Sequence, residues 1–149
     1  MSHSRTQGFS MIEVILVLAL IGVIALFSIG LTFNSLGRSA VAQERDLFVS
    51  LLLRGARAAA IANINESSHG IHIDNDLNEY VLFQGTTYNA SASTNRTISF
   101  TSDNIDVTGA TDIVFEQLSG DVANEVTLAL ASGEQTSSII IRETGQIDW

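Results

Sequence analysis

A charge-free apolar stretch dominates the first quarter of the chain. Residues 14–37 contain no charged side chain, and the apolar character begins at Phe9 and continues to about Phe33. A helix of about 20 residues crosses a hydrocarbon core of about 30 Å, so this stretch is long enough to span a membrane. Residues 1–8, which precede it, are polar and carry one certain positive charge, Arg5. The pattern therefore predicts a membrane-spanning helix over residues 9–33.

The position of the small residue at the border of this stretch distinguishes it from a secretory signal peptide. A signal peptide has a shorter apolar region, and its small-residue cleavage site follows that region. Here the small residue is Gly8, which comes before the apolar run. Cleavage at Gly8 would leave the hydrophobic helix on the mature protein.

Glu13 stands four residues into the apolar segment, and two interpretations account for it. Ser10 and Glu13 have the S-x-x-E spacing of a capping box, and a carboxylate in the first turn also suits the positive end of a helix dipole. The second interpretation starts from the cost of a charge in a membrane segment, which is about 2.5–3.5 kcal/mol at the centre and normally requires a partner. Cleavage after Gly8 would create a free amine at Phe9 that could be this partner, in the same chain or in a neighbouring one.

The run Gly8-Phe9-Ser10-Met11-Ile12-Glu13-Val14, followed by an apolar stretch, resembles the processing site of type IV pilins and pseudopilins. The resemblance implies that a prepilin peptidase cuts after Gly8 and that the new Phe9 amine is methylated. It also implies that Glu13 pairs with the Phe9 amine of an adjacent subunit and sets the helix register during filament assembly. Hydropathy alone would suggest an ordinary single-pass anchor, and the motif favours the pilin interpretation over it.

Gly22 and Gly30 lie inside the apolar segment and admit two roles. Glycine is a common close-packing residue in membrane helices. The resemblance implies the alternative, a local unwinding of the helix between them when the subunit leaves the bilayer. Many major pilins have proline where Gly30 stands, so this chain departs from their pattern there.

The apolar segment is followed by an amphipathic helical pattern and then by short alternating runs. Phe48, Leu51, Leu52, Gly55, Ala59 and Ala62 recur at spacings of three and four, which predicts that one helix continues to about Asn63, with its arginines on a solvated face. From residue 69 the runs alternate as strands do, and HGIHID and EYVLFQG predict a hairpin. The predicted fold is α+β and type IV pilin-like, with a long N-terminal helix packed on an antiparallel β-rich head. Its parts are a leader (1–8), a transmembrane and filament-core helix (9–33), an amphipathic continuation (34–64) and the head (65–149).

Two further segments resemble the GspH/FimT-type minor pseudopilins. They are LLLRGARAAAIANINESSHGIHI and the C-terminal SSIIIRETGQIDW, in which a strand leads to Thr144-Gly145 and a short terminal strand. Arginine often follows the glycine in that family, whereas this chain has Gln146. Some related proteins of DNA-uptake machines are thought to bind DNA through a basic C-terminus, but Glu143 and Asp148 flank the turn here. Trp149 either anchors the final strand to the core or forms an exposed contact, and of the two we expect core packing.

The composition argues against other chemistry. The net charge of −9 disfavours binding to phosphate backbones, and the absence of cysteine excludes a thiolate metal site. Asp74, Asp76 and Asn78 fit an acidic hairpin turn better than a calcium loop, and His69 and His72 would point to opposite faces of a strand. No catalytic motif is present. We therefore expect no enzyme activity, no cofactor, no metal and no nucleic-acid partner.

The resemblance implies a role, a place and a set of partners. The role is that of a structural subunit, most specifically a minor pseudopilin, of a type II secretion or type IV pilus filament. The precursor would sit in the bacterial inner membrane with a cytoplasmic N-terminus, and the assembled filament would be periplasmic or extracellular. Its partners would be other pilin or pseudopilin subunits, the prepilin peptidase, an inner-membrane assembly platform and lipid. A major, shaft-forming pilin and a membrane-tethered binding domain that never assembles remain as alternatives.

Overall fold

Three helical segments follow one another at the start of the described chain. A computed structural model describes residues 10–149, with the side chains of residues 10–25 and 38–149. Helix α1 covers Met11–Leu47, a π-helical segment covers Phe48–Leu53, and α2 covers Arg54–Ile61. Asn63 then adopts a left-handed φ of 54°, a conformation that asparagine tolerates and that commonly ends helices. A 3₁₀ turn at Ile64–Glu66 leads into the strands.

The chain divides into two compact units between Leu36 and Gly37. In the first unit, the side chains of residues 10–25 are all exposed. Among the helices of the described residues, none reaches the length and hydropathy required of a membrane span.

In the second unit, the buried residues of the helical segments recur at spacings of three and four, as on one face of a helix. Phe48, Val49, Leu52, Leu53, Ala56 and Ala60 are all at most 3% exposed. The predicted stripe was right at Phe48 and Leu52, and wrong at Leu51, which is 54% exposed, and at Gly55 and Ala62, which are also exposed.

Eight strands form two antiparallel sheets, which confirms the predicted α+β class. The strands are β1 His69–Asp74, β2 Glu79–Gln84, β3 Arg96–Ser99, β4 Asp106–Thr108, β5 Asp112–Phe115, β6 Val126–Ser132, β7 Gln135–Ile141 and β8 Ile147–Asp148. The first sheet has the order β3-β2-β1-β5, and the second has the order β4-β6-β7-β8. The predicted hairpin is present as β1–β2, with Asp74 opposite Glu79. Strand β4 was not predicted.

The two sheets exchange strands in the middle of the head. β4 precedes β5 in the chain, yet β4 pairs with β6 of the second sheet and β5 pairs with β1 of the first. Gly109 lies in the link between them with a φ of 122°, and a side chain there would collide with the Thr127 carbonyl. The chain therefore enters the second sheet at β4, returns to the first sheet to add β5, and then completes the second sheet with β6, β7 and β8.

One hydrophobic core joins the helical segments to both sheets. In β6 and β7 the alternation of the sequence places Leu128, Leu130, Ile139 and Ile141 inward, all fully buried. In the first sheet Ile71, Tyr80, Ile113 and Phe115 are buried in the same cluster, together with the buried face of the helical segments. The core of the head is thus shared by helix and sheets, as a β-rich head packed on a helix requires.

Candidate functional site

Helix α1 begins beside the predicted processing site. The carbonyl of Ser10 accepts hydrogen bonds from the backbone N–H groups of Glu13 (3.0 Å) and Val14 (3.2 Å), which places Ser10 at the N-cap position. Within the described residues, no side-chain hydrogen bond joins Ser10 to Glu13, so the full capping box is not formed. The carboxylate of Glu13 is exposed and remains available to a partner outside the helix.

The other predicted site residues are distributed along the same segment. Gly8 and Phe9 lie outside the described residues. Gly22 and Gly30 lie within α1, and a Cβ added at Gly22 would meet no atom within 4 Å among the described residues. The side chains next to Glu13 are apolar and open: Met11 is 84% exposed and Ile12 is 73% exposed. A charged group thus stands in an uncovered apolar helix surface.

In the head, Arg57 ties α2 to two distant turns. Its Nε donates to the Gly120 carbonyl (3.1 Å), and its Nη2 donates to the Thr144 carbonyl (3.1 Å). Gly145 has a φ of 70°, and a Cβ there would overlap the Gly120 carbonyl and approach the Arg57 guanidinium. The predicted strand-glycine-strand is present here as β7, the Gly145 turn and β8. The sequence analysis placed Arg57 on a solvated face, whereas in the structure its side chain is bonded to two turns of the head.

A groove of about 520 Å³ lies between α2 and this turn. We call it the α2–β8 groove, and it is lined by Arg54, Arg57, Ala58, Ile61, Thr144, Gly145, Gln146 and Ile147. The Arg54 guanidinium lies over the Trp149 ring, 4.7 Å from its centroid. Trp149 is 52% exposed, so the prediction that it packs into the core was wrong. The ring lies at the surface instead, within the distance at which a cation and an aromatic face attract each other.

A buried carboxylate was missed by the sequence analysis. Glu44 on α1 is fully buried, and its Oε2 accepts hydrogen bonds from the backbone N–H (2.7 Å) and the hydroxyl (2.5 Å) of Thr101. Burial first, and then the neighbouring Glu44 carboxylate, raise the pKa of Tyr80 well above its ordinary value. Phe48 and Phe100 pack on the Tyr80 ring at centroid distances of 4.8 and 4.5 Å. Nothing local in AQERDL distinguishes Glu44 from a solvated glutamate.

The two histidines of β1 interact with different elements. His69 Nε2 lies 2.9 Å from the Ile64 carbonyl, whereas His72 Nδ1 lies 2.7 Å from Asp112 Oδ1 and its ring stacks on Tyr88. Asp74 Oδ1 accepts a hydrogen bond from the Leu77 N–H, the turn geometry that an Asp favours. Among the described residues, no group of three or more acidic or histidine side chains could hold a metal ion.

Comparison with known proteins bears on the N-terminal segment. Residues 3–32 match the family described as the prokaryotic N-terminal methylation motif. The chain carries a type IV prepilin N-terminus. The resemblance to type IV pilins and pseudopilins that the run Gly8–Val14 suggested is thereby confirmed.

Two further comparisons add little to this prepilin match. A similar solved structure is that of the minor pseudopilin EpsH from the type 2 secretion system of Vibrio cholerae, with a TM-score of 0.49 and 14% identity over 73% of this chain and 94% of that one. Because the identity and the score are low, nothing about function is carried over from it. No curated protein matches this chain significantly in sequence.

Proposed function

We propose that this chain is a structural subunit of a type II secretion or type IV pilus filament, most specifically a minor pseudopilin. The observation that carries the proposal is the methylation motif over residues 3–32, which includes the apolar first part of α1, where the side chains of residues 11–25 are all exposed. An apolar surface of this extent needs lipid or neighbouring helices to cover it. In a filament subunit, lipid covers this surface before assembly and neighbouring helices cover it afterwards.

Processing creates the chemistry of assembly. Hydrolysis of the peptide bond after Gly8 by a prepilin peptidase gives Phe9 a free amine, and methylation follows on that nitrogen. The Glu13 carboxylate, exposed at the start of α1, then pairs with the Phe9 amine of a neighbouring subunit. In an apolar setting such a pair is strongly preferred over an unpaired carboxylate, and it therefore fixes the register between helices.

The apolar segment determines where the protein works. Before assembly, residues 9–33 hold the precursor in the bacterial inner membrane with its N-terminus in the cytoplasm. An inner-membrane assembly platform then moves the subunit into a periplasmic or extracellular filament. In this role the chain binds other subunits and catalyses no reaction of its own, and Gly22 and Gly30 allow the helix to adjust as it leaves the lipid.

The first experiment is the mass of the N-terminal peptide of the protein isolated from its native host. The proposal expects a peptide that starts at methylated Phe9. A chain that still begins at Met1 in cells with an active prepilin peptidase would contradict it and favour the tethered binding domain.

The second experiment tests assembly with Glu13→Leu. This variant should enter the membrane at the wild-type level but be missing from sheared filaments, because the carboxylate partner of the Phe9 amine is gone. Glu134→Leu removes an equally exposed carboxylate from the β6–β7 turn and should assemble normally. If Glu13→Leu assembles as well as this control, the pairing role is wrong. The ratio of the protein to the major subunit in the same filaments distinguishes a minor from a shaft-forming role.

A further inference from the structure

The first sheet ends at β5, and this strand borders a groove of about 370 Å³. We call it the β5 groove. One wall is β5 with Glu116 just after it, and the other wall is formed by residues of the segment 122–126. Asp112, Ile113 and Val114 all line it. Successive side chains of a strand point to opposite faces, so three residues in a row line one groove only through the backbone edge of the strand.

The backbone groups at this edge have no strand to bind. The Ile73 N–H donates to the Thr111 carbonyl at 2.8 Å, which fixes the alternation of hydrogen bonds between β1 and β5. The N–H and C=O of Ile113 therefore point toward β1, and those of Asp112 and Val114 point into the groove. Within the described part of the chain, no strand pairs with β5 on that side. An unpaired edge of this kind is a template for an additional strand.

The groove carries a negative charge at each end of this edge. Ile113 and Phe115 are buried in the core, so the alternate residues Asp112 and Glu116 lie on the outer face of the sheet. These two stand four residues apart, about 13 Å along an extended chain, and both are exposed. Of the described residues that line the groove, none is basic. Asp112 also contacts His72 Nδ1 at 2.7 Å, but a carboxylate offers about four acceptor positions and can take a second donor.

The surface between the two charges is apolar. Val114 lies midway between Asp112 and Glu116 on the same face, and Val122 and Val126 line the opposite wall. The volume falls in the range of about 300–1,000 Å³ that is typical of ligand sites. An extended segment laid in this groove would place basic side chains against the two carboxylates and apolar side chains against the valines. Its sequence pattern is a basic residue, an apolar residue, any residue, an apolar residue and a basic residue.

We propose that the β5 groove binds an extended basic segment of a different protein, which adds to β5 as a further strand of the first sheet. The added strand is antiparallel, because antiparallel pairing is slightly the more stable and all the described strand pairs of this sheet have it. Hydrogen bonds to Asp112 and Val114 supply affinity, and the side chains that alternate along the segment supply specificity. The inference concerns the head alone and does not depend on the filament role.

Other occupants fit this groove less well. A second copy lacks the required pattern, because the chain has seven arginines and no lysine, and no two of the arginines stand four apart in the sequence. A second copy is also repelled, since its net charge of −9 has the same sign as the groove. Asp112 and Glu116 repel the phosphates of a nucleic acid in the same way. At about 13 Å they are also too far apart to bind one metal ion together.

A blocked synthetic peptide, KVTVK, is the probe for the first experiment. It is titrated into the isotope-labelled full chain in detergent micelles, and the backbone amides are followed by NMR. The amide signals of Asp112 and Val114 should shift, and their hydrogen exchange should slow as the new strand takes up their N–H groups. The peptide EVTVE has the same backbone and the opposite charge, and should do neither. Equal effects of the two peptides would overturn the proposal.

A second peptide, KVPVK, separates strand addition from general charge attraction. It keeps both charges but lacks the central N–H, which in the antiparallel register donates to the Val114 carbonyl. It should bind about tenfold more weakly than KVTVK, because the strand edge then loses a hydrogen bond. Equal affinity of KVPVK and KVTVK would show that no strand is added, and the proposal would be wrong.

Charge reversal tests the register. Glu116→Lys should weaken the binding of KVTVK about tenfold and should restore tight binding for EVTVK, whose first residue lies opposite the substituted position in an antiparallel strand. The reversed peptide KVTVE should not be rescued. Glu134→Lys changes an exposed carboxylate of the β6–β7 turn, away from the groove, and should leave the affinity for KVTVK unchanged. Equal rescue by EVTVK and KVTVE would contradict the antiparallel register.

Two further outcomes separate this contact from other associations of the protein. Shifts of the Asp112 and Val114 amides that depend on protein concentration, with no peptide present, would assign the edge to a second copy and overturn the proposal. The mass of the N-terminal peptide tests the filament role separately. A chain that is processed to Phe9, and whose β5 amides do not respond to KVTVK, would refute this contact and leave the filament role standing.

Discussion

At Gly145 the chain passes so close to α2 that it can carry no side chain there. Residues other than glycine adopt this left-handed φ only at an energetic cost. In addition, the Gly120 carbonyl and Arg57 occupy the space that a Cβ would need. Arg57 in turn binds carbonyls 63 and 87 residues away in sequence. A single glycine therefore permits the contact that joins the helix to the last turn of the head.

Gly145→Ala should destabilise the head more than Gly133→Ala does. Both glycines have a left-handed φ, at 70° and 60°, but a Cβ at Gly133 would meet open space. The backbone cost alone is about 1–2 kcal/mol, and overpacking adds typically 1–3 kcal/mol at Gly145. Urea unfolding of the full-length variants measures both, and similar losses would show that the close approach carries no energetic weight.

At the scale of the element, adjacent positions of the π-helical segment differ sharply in burial. Leu52 is fully buried, whereas its neighbour Leu51 is 54% exposed. The predicted pattern of spacings placed both in the core, because sequence spacing alone does not show where the edge of the buried face lies.

Leu52→Ala should therefore lower the free energy of unfolding by about 2–5 kcal/mol, the usual cost of a large-to-small change in a core. Leu51→Ala serves as the matched control, and should cost about 1 kcal/mol or less because most of its side chain already contacts solvent. Thermal unfolding followed by circular dichroism compares them. Equal costs would mean that Leu51 belongs to the core, as the sequence pattern predicted.

Features encoded by neighbouring residues could be predicted, and features that depend on distant partners could not. The β1–β2 hairpin follows from two alternating runs joined by NDLN, and the strand-glycine-strand follows from Thr144 and Gly145. Glu44 could not be recognised, because its partner Thr101 stands 57 residues away. Trp149 was wrongly placed for the same reason, since the residue that its ring contacts, Arg54, stands far away in the sequence. The methylation motif was recognisable because all its parts are contiguous.

At the scale of the whole molecule, the lack of lysine simplifies the alkaline titration. The chain has seven arginines, three histidines and two tyrosines, so between pH 9 and 11 few groups other than tyrosine change charge. Tyr80 has a raised pKa because it is buried and faces Glu44. The folded state keeps its proton where the unfolded chain loses it, so stability is complete below about pH 10 and falls as the pH rises above it.

Above pH 10, the free energy of unfolding should fall by up to about 1.4 kcal/mol per pH unit. Tyr80→Phe fills the same space without an ionisable group and should remove this slope. The pH dependence of stability is compared through urea unfolding midpoints measured between pH 9 and 11 for the wild type and for Tyr80→Phe. Tyr88→Phe serves as the control at a partly exposed site. A slope that survives Tyr80→Phe would assign the alkaline loss to another group.

The exchange of β4 and β5 between the sheets has a consequence for how the head comes apart. Neither sheet is built from one uninterrupted stretch of chain. The short link between β4 and β5 therefore connects any opening of the first sheet at β5 to the pairing of β4 with β6 in the second. Partial opening of one sheet alone is thereby penalised, and the head should lose its structure in a single cooperative step. Native-state hydrogen exchange should then show the central strands β1 and β6 protected to the same limit, as two parts of one folding unit.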